Sequence, residues 1–99
     1  MQKLKIHIAA NGHASIDFDE YDSPAWFKAV SILEDEMGFM REGEAVAGMD
    51  EGIMPSFVKN DISISAGWDN WSGNYLLSES NEADKVLNQL ISQLSGVKQ

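Results

Sequence analysis

A chain of 99 residues with 43% hydrophobic content, three Trp and four Phe is long enough for one packed domain but too small for a deeply enclosed active site. Sixteen acidic against seven basic residues leave a formal net charge of −9, which opposes attraction to phosphate backbones and favours a basic protein partner over direct nucleic-acid binding. The absence of cysteine excludes disulfides and thiolate zinc sites. No segment reaches the about 18 apolar residues of a membrane span, and the amino terminus lacks the apolar run of a signal peptide, so a cytoplasmic protein away from the membrane is expected.

Leu4, Ile6 and Ile8 alternate with Lys3, Lys5 and His7, the period of a strand with one buried face. Ile16 and Phe18 alternate with Asp17 and Asp19 after Asn11-Gly12, which reads as the return strand of a hairpin. A two-residue loop would mix the faces, so a three- or five-residue loop is expected, pairing Ile8 with Ile16 and Ile6 with Phe18. Ser23-Pro24 opens a helix carrying Trp26, Phe27, Val30, Leu33 and Met37, and Gly38 suits its C-cap. Glu34, Asp35 and Glu36 occupy its last turn, against the helix dipole. That placement costs stability and invites a functional reading.

From Gly38 to Pro55 the glycines and acids suggest a long connection, with Ala45, Val46, Ala47, Ile53, Met54, Phe57 and Val58 able to pin parts of it to the core. It reads as either a functional loop or a solvated one. Ile62, Ile64, Ala66 and Trp68 alternate with Ser63, Ser65 and Gly67 as a third strand. After a turn at Asn70–Gly73, Tyr75–Ser80 form a fourth. Asn81 with Asp84 has the spacing of a capping box, and Ala83, Val86, Leu87, Leu90, Ile91 and Leu94 form one helical stripe ending near Gly96. The expected fold is an α+β two-layer sandwich in one domain, residues 1–99. It has an antiparallel sheet of about four strands in the order ββα-ββα, and two helices on one face.

The chemistry-bearing residues are few. His7 and His13 fall on a polar strand face and in a turn, where solvated side chains are the plain reading, and no serine sits in a nucleophile elbow. Asp17-Phe-Asp-Glu-Tyr-Asp22 departs from a calcium loop at its fifth and sixth positions and suits an acidic entry to a helix N-terminus instead. The glycine-spaced segment lacks a phosphate-cradling motif, so neither cofactor nor metal is implied, and an enzyme is not expected. Trp71, inside a turn, is either an exposed anchor or a ring folded over the sheet edge.

The stretch Asp61-Ile-Ser-Ile-Ser-Ala-Gly-Trp-Asp-Asn-Trp-Ser-Gly-Asn-Tyr-Leu-Leu-Ser, followed by Asp84-Lys-Val-Leu87 and Leu90, resembles small immunity proteins of bacterial polymorphic-toxin and contact-dependent growth inhibition systems. The resemblance covers the last third of the chain. It implies a cytosolic protein that binds and blocks a cognate toxin, often a nuclease with a basic cleft. With the charge, it gives the expectation of an immunity or antitoxin-like inhibitor that presents Glu34, Asp35, Glu42, Glu44, Asp50, Glu51, Asp69 and Trp71 to a basic toxin domain. The alternative is a structural or regulatory homo-oligomer joined through an apolar patch around Trp71 and Phe39-Met40.

Overall fold

The computed structural model describes residues 4–70 and 73–94. The seven strands are β1 (Lys5–Ile8), β2 (Ala14–Asp17), β3 (Met40–Glu42), β4 (Val46–Ala47), β5 (Glu51–Lys59), β6 (Ile62–Asp69) and β7 (Gly73–Ser78). The helices are α1 (Pro24–Ser31), extended by a π-helical turn over Ile32–Glu36, and α2 (Asn81–Leu94). All strand pairs are antiparallel, in the order β1-β2-β7-β6-β5-β3, with β4 also on β5. The four-stranded sheet expected from the sequence is therefore wrong, although the α+β class holds. The segment read as a connection supplies three strands.

Strand β5 escapes the alternation rule for a local reason. Met54 pairs with Ala66 but Phe57 pairs with Ile64, so Pro55 and Ser56 oppose Ser65 alone in a bulge that switches which residues face inward. A proline without an N–H is tolerated at such a point. The Arg41 Nε and Nη2 both donate to the Pro55 carbonyl, at 3.2 and 3.0 Å, and the guanidinium lies 4.1 Å from the centre of the Phe57 ring. One side chain thus covers the irregular edge.

In the first hairpin Ile16 and Phe18 are buried as expected, but Ile6 and Ile8 of the edge strand are exposed, at 37% and 71%, and the register differs: Ile6 pairs with Ile16 and Ile8 with Ala14. Its loop spans Ala9 to His13, closed by the Ala9 amide on the His13 carbonyl at 2.8 Å, with Gly12 at φ 84°. Strand β2 then pairs with β7, joining the two hairpins into one sheet. One face carries Ile16, Phe57, Ile64, Ala66 and Leu76, fully or nearly buried against Trp26, Ala29 and Leu33 of the first helical segment and Ala83, Leu87 and Leu90 of α2. Phe18 meets Trp26 edge-on at 5.3 Å between ring centres. The stripe read from the sequence of α2 is the stripe that packs. The opposite face bears His7, Asp17, Ser63, Ser65, Tyr75 and Leu77, and no described helix covers it.

Helix ends also differ from the reading. Ser23 Oγ accepts the Trp26 amide as expected, at 3.1 Å. At α2 the capping oxygen is Ser80 Oγ, which accepts the Ala83 amide, rather than a side chain of the Asn81–Asp84 box. Asp84 turns instead toward the β1–β2 loop. Gly96, expected to end this helix, lies outside the described residues.

Candidate functional site

At one end of the sheet, on the face that the helices cover, an open groove of about 540 Å³ is lined by no helical residue. Its apolar walls are Trp68, Met54 and Ile53 from β5 and β6, Val46 and Ala47 from β4, and the ring of Tyr21. Polar groups enter from Asp22, Asn70 and Asn74. A concave apolar surface with a few polar groups at its rim is the form of most binding sites.

Two glycines make this arrangement possible. The Trp68 ring lies across Gly52, directly opposite in the β5–β6 register, where any Cβ would collide with the indole. Covering a strand glycine with a cross-strand aromatic stabilises the pair and fixes the ring. Gly73, at φ 66°, lets the backbone of Glu20 approach so closely that a Cβ there would strike it. The loop from Asp19 to Asp22 is then held by the Asn74 amide on the Glu20 carbonyl at 3.0 Å and by the Asp22 amide on the buried Asn74 Oδ1 at 2.6 Å. Asp19 and Asp22 adopt φ of 63° and 50°, a left-handed conformation that aspartate accepts more readily than most residues. Tyr21 is thereby set edge-on to Trp68, 5.6 Å between ring centres, with its hydroxyl donating toward the Asp69 carbonyl and Asn70 Oδ1 at 2.8 and 2.9 Å.

The acids around this end are crowded. Glu51 stands directly opposite Asp69 in the β5–β6 register, and like charges so opposed destabilise a strand pair. Asp50 precedes them, its carboxylate accepting from Asn70 Nδ2 at 2.9 Å. Burial first, then the charges of Asp69 and Glu51, push the Tyr75 hydroxyl above its ordinary value of 10.0. Val46, Met49 and Ile53 are exposed beside these acids, Met49 almost completely at 96%.

The remaining acids do not join them. Glu34 lies 3.7 Å from Arg41, which stands opposite Phe57, whereas Glu51 is six residues away along β5, about 20 Å at the rise of a strand. Asp35 accepts from Ser31 Oγ at 3.2 Å, and Lys59 Nζ donates to the Met37 carbonyl at 2.6 Å, supplying the cation that the last helical turn lacks in sequence. The acidic helix end thus has local partners and forms no single surface with Asp50, Glu51 and Asp69. Glu42 on β3 and Glu44 in the following loop are exposed, and Glu42 lies opposite Ser56, nearer the Arg41 end. Trp71 lies outside the described residues. Phe39 is buried in the core at 4% exposure, which removes it from the apolar patch of the homo-oligomer alternative, while Met40 is exposed.

Tyr21, Asp22, Asn74 and Gly52 were not singled out for a binding role by the sequence. The available signal was the acid-flanked Tyr21 within Asp17–Asp22, though only the docking of that loop on Gly73 and Asn74 brings it to Trp68. The histidines are also more engaged than a solvated reading implies. His7 Nε2 lies 3.3 Å from Asp17, and His13 Nδ1 lies 3.0 Å from Asp84. The Asp84 carboxylate further accepts the Ala14 amide at 2.8 Å, and hydrogen bonds from Ser78, Ala14 and His13 hold it down at about 2. This arrangement ties the hairpin loop to the first turn of α2 and is far from the groove in the strand order. Among the described residues no group of three or more His, Cys, Asp or Glu is placed to hold a metal ion. No described helix is long and apolar enough to cross a membrane.

The geometry defines a small α+β domain with one helix-covered sheet face and an aromatic, acid-rimmed groove at its end. Compared with known protein families, with curated proteins and with solved structures, the chain matches none.

Proposed function

We propose that the chain is an immunity or antitoxin-like inhibitor that binds a basic toxin domain through the acidic end of the sheet. The observation that carries this reading is the exposed pair Asp50 and Glu51 at the start of β5, next to the exposed apolar residues Val46, Met49 and Ile53. Exposed neighbouring carboxylates attract a cationic partner and speed its encounter. Exposed apolar side chains beside them add area to bury. The resemblance of Asp61–Ser78 to immunity proteins supplies the kind of partner, a toxin, with a nuclease as the leading activity.

The test uses the protein encoded immediately upstream as the partner. Asp50→Asn with Glu51→Gln should slow association by about tenfold at low salt and flatten its salt dependence, the behaviour of steered encounters. Unchanged association kinetics in stopped flow would remove this surface from the interface. Failure of the wild-type chain to bind or inhibit that partner would remove the immunity reading.

A further inference from the structure

The groove has a feature that the acidic surface alone does not explain: two aromatic rings held by backbone constraints beside carboxylates. Tyr21 and Trp68 stand edge to face at 82°, Met54 and Val46 complete apolar walls, and Asp22 opens onto the same space. Asp50 stands one hydrogen bond behind the rim, accepting from the lining residue Asn70. An all-apolar ligand would leave these carboxylates against a covered rim, and an anionic one would be repelled. A side chain with a long apolar stem and a cationic head satisfies both halves.

We propose that this groove takes an arginine side chain of the basic partner, its methylenes on Trp68 and Met54 and its guanidinium between the aromatic rings and Asp22. Arginine suits the site better than lysine, because a planar guanidinium both stacks on aromatic faces and meets a carboxylate through two donors. The volume of about 540 Å³ accommodates the side chain together with flanking residues of the segment that carries it. This assignment rests on the reading of a basic partner and narrows it to one anchor.

The probe is the acetylated, amidated peptide Ala-Leu-Arg-Leu-Ala, compared with its citrulline and glutamate counterparts, titrated into the isotope-labelled full chain. The indole N–H signal of Trp68, assigned with Trp68→Phe, should shift saturably with the arginine peptide. Citrulline, which keeps the shape without the charge, should bind about tenfold more weakly, as loss of a charge-assisted pair predicts. Asp22→Asn should weaken the arginine peptide by a similar factor while keeping the fold, since asparagine also accepts the φ of 50° at this position. Glu82→Gln, on the exposed face of α2, should change nothing. Equal affinity for the citrulline peptide, shifts confined to other residues, or no saturable shift would each overturn the proposal. Capture of the arginine peptide by a chain that inhibits no toxin would keep the groove and retire the immunity reading. Toxin inhibition undisturbed by Asp22→Asn, with no peptide-induced shift at Trp68, would do the reverse.

Discussion

Beside the first hairpin the Asp84 carboxylate receives an amide, a histidine nitrogen and a serine hydroxyl, whereas at the far end of β5 Glu51 and Asp69 are set against each other. Both regions hold a loop against the sheet, one through a carboxylate and the other through Asn74 and Gly73. The first arrangement satisfies its charge within the fold. At the second, Asp50 and Glu51 are exposed to whatever approaches. Net charge alone therefore locates no function, because the same acid that reads as surface in a composition can be structural mortar in place. The Glu34–Arg41 pair makes the point again at the helix end.

The comparison is broken most forcefully at Gly73. Gly73→Ala places a Cβ against Glu20 and a side chain at φ 66°, and should destabilise the protein by about 2–4 kcal/mol, the combined scale of a left-handed residue and an overpacked contact. Urea denaturation measures the loss, and near-ultraviolet circular dichroism should report displacement of Tyr21 from Trp68. A loss below about 0.5 kcal/mol would mean that the Asp19–Asp22 loop does not depend on this approach.

Asp84 offers the next effect, and its sign follows from its lowered pKa. The folded state favours the charged form, so the stabilisation is fully present above the ordinary value of 3.8 and lost as pH falls toward about 2. Asp84→Asn should lower the urea midpoint at pH 5 and remove the part of the acid-induced decline that falls between pH 4 and 2. A variant whose midpoint declines as steeply as the wild type over that window would show that Asp84 is not the group responsible. Glu34→Gln should produce the smallest change, within about 0.5 kcal/mol, because its partner Arg41 is already engaged by Pro55 and Phe57 and the pair is partly exposed. It should also leave association with a basic partner unaltered in stopped flow. A slowing equal to that of the Asp50→Asn, Glu51→Gln pair would restore the single acidic surface that the strand register divides.

What the sequence determined by itself lies where one period runs unbroken. The alternation through Ile62–Trp68 and the stripe of α2 state which side each residue shows, because burial of one face is imposed residue by residue. Ser23-Pro24 likewise announces a helix start through chemistry confined to one turn. The strands within 38–59 were hidden because β3 and β4 are only three and two residues long and the bulge at Pro55-Ser56 shifts the phase of β5. The groove was hidden for a different reason. Tyr21, Gly52, Trp68 and Asn74 are distant in sequence and meet only when β5, β6 and β7 align and the Asp19–Asp22 loop settles on Gly73. Contacts of that range depend on strand order and register, which no local pattern encodes, so tertiary structure alone decided which of the many acids stand beside an aromatic groove and which serve the fold.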